Sequence, residues 1–161
     1  MKDKEEITKI IFLPKKPIVR VRVIEFGDSQ GVIENKKKYP FKLHSTLTVC
    51  VQTTKRNFSF TIQKGFTWNG ADIPPFLWLF TGSRTSNEFL MASMLHDYLL
   101  NFKYQMMNEI IENILPNEYR RLTSLIFREV LIHTGTNNIK ANIMSFFVDN
   151  WQKIVFLKRN K

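Results

Sequence analysis

Apolar and polar positions change their spacing partway along the chain, and that change divides it in two. Ile18-Val19-Arg20-Val21-Arg22-Val23-Ile24 alternates as a half-buried strand does, with Val19, Val21 and Val23 on one face. Leu47-Thr48-Val49-Cys50-Val51-Gln52 and Phe58-Ser59-Phe60-Thr61-Ile62 alternate too, and Thr54-Lys55-Arg56-Asn57 between them suits a hairpin loop. Before them, Ile7 and Ile10-Ile11-Phe12-Leu13 form a short apolar run closed by Pro14, as an edge strand would be. Gly27-Asp28-Ser29-Gln30-Gly31 is a turn cluster, and Glu34-Asn35-Lys36-Lys37-Lys38 reads as a solvated loop.

Beyond residue 75 the spacing becomes three and four. Phe76 to Phe80 predicts a short buried helix stopped by Gly82. Thr85 and Glu88 offer a capping box for the next helix, on which Phe89, Ala92, Leu95 or His96, and Leu99 share a face. Asn101–Leu115 continues the pattern through Met106, Met107, Ile110, Ile111 and Ile114, and Pro116 is expected to end it. Glu118–Thr134 turns Leu122, Leu125, Ile126, Val130 and Ile132 or His133 inward, with Gly135 as the stop. Ile139–Phe156 is expected to bury Ile143, Phe146, Phe147, Trp151, Ile154 and Val155.

The predicted class is therefore α+β, with a small antiparallel sheet over about residues 7–64 packed on a three- to four-helix C-terminal half. The chain reads as one domain over 1–161: strands to residue 64, a junction loop at 65–75, helices over 76–157 and a basic tail at 158–161.

Composition adds limits. Hydrophobic content of 43% and fourteen Phe argue for a packed core. A single Cys50 rules out an internal disulfide framework and a cysteine-built zinc site. The charged start, Met1 to Glu6, carries no signal-peptide pattern, and no apolar run reaches the roughly 20 residues of a transmembrane segment. A formal net charge of +10 suggests nucleic acid as a partner, through the basic termini. Residues 66–115 run against that balance, with Arg84 and Lys103 facing Asp72, Glu88, Asp97, Glu109 and Glu112.

That acidic third holds the candidate chemistry. In Trp68-Asn69-Gly70-Ala71-Asp72-Ile73-Pro74 the Asn-Gly pair marks a turn, and Asp72 can cap the next element. His96-Asp97 lies near the end of the predicted helix that comes after it. Two uses fit these residues. As a clasp, His96 is a buried imidazole bonded to a loop carbonyl or to Asn69, and Asp97 ties the Asn69–Asp72 turn to the helix by accepting its backbone N–H groups. As a catalytic pair, His96 is a general base oriented by Asp97, with Asn69 and Asp72 beside the reacting atoms. Asp72 and Asp97 are then candidate ligands for Ca2+ or another divalent metal, whereas the clasp needs no cofactor. His44 and His133 have no acidic neighbour in sequence.

The order of these pieces resembles a phage and prophage family, domain-of-unknown-function family 1353, which has no established activity. Gly65-Phe66 matches its opening, Gly70-Ala71 and Ile73-Pro74 its loop, and Ala92 with His96-Asp97-Tyr98-Leu99 its helix. Arg120 and Phe127 match a later R-x-x-A-D-x-x-F motif, so the likeness spans roughly residues 60–155. Asn69 stands in place of the family's Asp, Asp72 of its Ser, Pro75 of its Arg, Leu100 of its Tyr, and Ser124 of its later Asp. The resemblance implies a virion-associated or interaction protein in the virion or host cytoplasm, with other phage proteins as partners.

The His-Asp helix is also similar to that of small phospholipases A2, where the His takes a proton from water and its Asp neighbour holds calcium. That likeness implies a lipase, and the catalytic reading of His96 and Asp97 a small hydrolase of lipid or cell-wall bonds, but Leu100 and Ser124 lack the groups that orient a phospholipase His. The substitutions favour the clasp.

Overall fold

The computed structural model describes residues 5–15, 18–23, 25–70, 87–101, 111 and 113–159. Strands β1 (Ile7–Leu13), β4 (Leu47–Thr53) and β5 (Asn57–Ile62) form an antiparallel sheet in the order β1-β4-β5, which leaves β1 on its edge. Alternation fixes the register: Val49 lies opposite Phe60 and Phe12, and Leu47 opposite Ile62. All five are buried. The Thr54–Arg56 connection closes on Thr53, whose hydroxyl accepts the backbone N–H groups of Lys55 (3.1 Å) and Arg56 (2.9 Å).

A second sheet corrects the expectation of one. Strands β2 (Val19–Val21), β3 (Phe41–Leu43) and β6 (Thr67–Trp68) pair in the order β2-β3-β6, with Val19 opposite Leu43 and Phe41 opposite Trp68. The 18–24 strand shortens to three residues, and Val21 (57% exposed) and Val23 (69%) face outward. Two or three paired residues per strand leave little alternation to read. Gly65 turns the chain from β5 into β6 at φ 99°, a conformation that favours glycine, and donates to the Leu43 carbonyl (2.8 Å).

The predicted loop at 34–38 is helical. Helix α1 (Gln30–Lys38) starts on Ser29, whose side chain accepts the Val32 N–H, and it buries no residue. It is thus as solvated as its charge run implies. Side-chain contacts hold it: Lys36 to Asp28 (2.7 Å), and Arg22 to Asn35 (2.8 Å). The Lys36 ammonium, then the Glu25 N–H, keeps the Asp28 carboxyl below its ordinary range.

Helices α2 (Asn87–Asn101), α3 (Pro116–His133) and α4 (Asn138–Arg159) form the second half. Helix α3 packs against both α2 and α4, and its far end meets β1 where Phe12 and His133 approach to 5.4 Å. Trp68 donates to Ser93 (3.2 Å), and Tyr98 to the Thr61 carbonyl (2.9 Å), so α2 is bonded to a strand of each sheet. The short helix expected over 76–80 and the capping box at Thr85 lie outside the described residues.

The helix expected over 101–115 lies mostly outside the described residues; Asn113 is a turn residue at φ 58°, and Pro116 opens α3. One helical expectation changes. Helix α4 turns most of its bulky stripe outward: Ile139 is 75% exposed, Phe146 64%, Ile154 48%, Trp151 44% and Ile143 41%, while Phe147 packs against the core as expected and the Val155 side chain lies outside the described residues. Ala141, Met144, Ser145, Val148 and Gln152 point inward instead. Its inward polar groups reach neighbouring helices: Ser145 donates to the Ser124 carbonyl (2.9 Å), and the Gln152 amide nitrogen meets His96. Hydropathy favours the bulky stripe; packing uses the narrow one.

Tyr119 joins α3 to α2 by donating to the Leu99 carbonyl (2.7 Å) from a buried position. Burial, with a smaller contribution from Tyr98, raises its phenol well above the usual tyrosine range. A raised folded value means the bond contributes in full below about pH 10, where the phenol titrates in the unfolded chain, and loses that contribution as pH rises further. Tyr119→Phe is expected to cost about 1 kcal/mol at neutral pH and to flatten the alkaline limb of a stability–pH curve from urea melts.

Candidate functional site

The candidate site lies where β6 runs into a turn over α2. Gly70 has φ 84°, and a Cβ there would sit 3.5 Å from Phe41. The turn brings Asn69 over Asp97: with its amide nitrogen toward the carboxylate, Asn69 donates to Asp97 Oδ2 (2.9 Å) and to the Gly70 carbonyl (2.7 Å). Among the described residues the contact between turn and helix thus runs from the Asn69 side-chain amide to Asp97, in place of the backbone N–H donors expected. Asp72 lies outside the described residues.

His96 sits one residue back on α2 and faces inward, 7% exposed. Its ring meets Phe127 of α3 edge-on, with centroids 5.5 Å apart. Nε2 contacts the Gln152 amide of α4. Nδ1 is 3.7 Å from Asp97 Oδ1 and has no hydrogen-bond partner among the described residues. A neutral imidazole holds one proton, and two arrangements are open to it. Gln152 can donate to Nε2 with the proton on Nδ1, or accept from a protonated Nε2. The second points the Nδ1 lone pair toward a carboxylate; the first points an N–H there, and electrostatics favours it. Among the described residues His96 bonds neither a loop carbonyl nor Asn69, its expected partners. Its partner comes from the last helix.

A second polar group lies between α3 and α4. Arg120 Nη1 bonds the Asp149 carboxylate and donates to the Asp149 carbonyl (3.0 Å). Ser124 Oγ lies 3.3 Å from the same carboxylate. Where the family motif would place an acid at 124, the carboxylate thus arrives from α4. Neither Asp149 nor Gln152 was singled out by the sequence. The available signal was weak: Gln152 shares a face with Ala141, Met144 and Val148, where a polar residue needs a partner.

His133 packs on Phe12 at the end of α3. His44 follows β3, and its imidazole is held below the ordinary range by desolvation and by Arg20, Lys42 and Lys64. Among the described residues no three His, Cys, Asp or Glu side chains gather as a metal site would require.

Comparison with curated proteins and with solved structures gives no match. A family model does match residues 41–148, more than half of the chain, including β3 to β6, the Asn69 turn, His96-Asp97 and part of α4. The chain belongs to the family described as "Protein of unknown function (DUF1353)".

Proposed function

We propose that this is a non-enzymatic interaction protein, a virion-associated component of a bacteriophage, in which His96 and Asp97 serve as a structural clasp. The observation that carries the reading is the covering of His96: at 7% exposure its ring lies on Phe127, and Gln152 occupies Nε2. A general base needs a ring nitrogen within hydrogen-bond reach of water or substrate. In this reading the basic sheet half and tail bind other phage proteins or nucleic acid, in the virion or the host cytoplasm.

The clasp makes His96→Gln a stability variant. Its melting temperature should fall by an amount equivalent to about 1–3 kcal/mol, and Asn69→Ala should cost about 1 kcal/mol. Particle association should track stability in both. The other reading is a small hydrolase of lipid or cell-wall bonds, with His96 as base and Asp97 either orienting it or holding calcium. It is favoured by the 3.7 Å approach of Asp97 to Nδ1, the side from which a carboxylate orients a histidine. If His96→Gln keeps its melting temperature but loses host toxicity or hydrolysis, the clasp is refuted.

A further inference from the structure

The outward stripe of α4 lies opposite the core-facing one. Ile139, Ile143, Phe146 and Ile154 recur at helical spacing on the side away from α3, with Trp151 at the margin and Asn150 between them turning its amide back onto the Phe146 carbonyl (2.8 Å). Lys140 and Lys153 stand on opposite borders of the stripe. Lys153 is half-exposed although it reaches to within 3.7 Å of Asp149.

Charge and size narrow the choice of occupant. From Ile139 to Ile154 the stripe is about 24 Å long, and at a helix-face width of about 10 Å it offers roughly 250 Å². A stable dimer buries about 800 Å² on each partner, and two copies of a chain of net charge +10 repel. Nucleic acid suits the lysines but leaves Phe146 and the isoleucines against phosphate and water. An anionic lipid surface satisfies both: apolar and aromatic side chains enter the acyl boundary to about 5–10 Å, and lysines at the border meet the headgroups. Among the described residues no helix is long and apolar enough to cross a membrane, so the contact is with the surface.

We infer that the outer face of α4 is a docking surface for an anionic membrane, independent of how His96 is used. The test is co-sedimentation of the full chain with vesicles of three parts phosphatidylcholine to one part phosphatidylglycerol, against pure phosphatidylcholine, in about 0.15 M salt. Binding to the anionic vesicles alone is expected. Phe146→Ser with Trp151→Ser should abolish it at an unchanged melting temperature, and Lys140→Gln and Lys153→Gln should each weaken it about fivefold. Brominated lipid should quench the tryptophan fluorescence of the parent chain, and less so in Trp151→Ser. No binding to anionic vesicles overturns the inference, as does binding that survives the Phe146/Trp151 change. It is equally overturned by a concentration-dependent dimer that this change dissolves, which would give the face to a second copy.

Discussion

Trp68→Ala is expected to destabilise the fold by about 3–5 kcal/mol, the range for truncating a large buried aromatic. Trp68 is 1% exposed and ends β6, where its ring lies 5.6 Å from Phe41 and 6.1 Å from Phe66. Its indole N–H reaches Ser93 on α2, and the Ser93 hydroxyl in turn donates to the Leu90 carbonyl (3.1 Å). One side chain therefore fills space in the second sheet and fastens that sheet to the helices. Ser93→Ala separates the two contributions: it removes only the polar link and should cost about 1 kcal/mol. Urea melts followed by circular dichroism measure both. A loss of under about 1 kcal/mol for Trp68→Ala would mean that β6 is not part of the packed core.

Arg120→Met should cost about 3 kcal/mol, near the low end for breaking a buried ion pair. Arg120 is 8% exposed and supplies two contacts to Asp149. Without it the carboxylate keeps Ser124 at 3.3 Å and Lys153 at 3.7 Å, and with 23% side-chain exposure it is partly hydrated, which limits the loss. The double variant Arg120→Met/Asp149→Leu should recover most of the stability, since no lone charge is left between α3 and α4. If the two substitutions simply add, the pair is not coupled.

These two sites also show what the sequence makes legible. The β4–β5 hairpin could be read because Leu47, Val49 and Val51 alternate with polar residues and pair with the next strand in the chain. The end of α3 could be read because Gly135 stands just beyond it. Both signals are local. The second sheet is not local: β2, β3 and β6 contribute two or three residues each, and β6 comes after the whole β4–β5 hairpin. Likewise the His96-Asp97 pair could be located in sequence, but Gln152, which meets His96, lies 56 residues away. The face of α4 misled for a different reason. Hydropathy favours Ile139, Ile143, Phe146 and Ile154, whereas the face packed inward carries Ala141, Met144, Ser145, Val148 and Gln152.

Helix α1 stands apart from the rest in its energetics. It buries nothing, and the side-chain bonds that hold it run to Asp28 and Ser29 just before it and to Arg22, which follows β2. Its free energy of opening is thus tied to the rest of the fold chiefly through Arg22. Such a segment can melt and re-form while everything else keeps its protection against hydrogen exchange. It is also where a peptide tag or a fluorophore can be grafted at least cost to the whole.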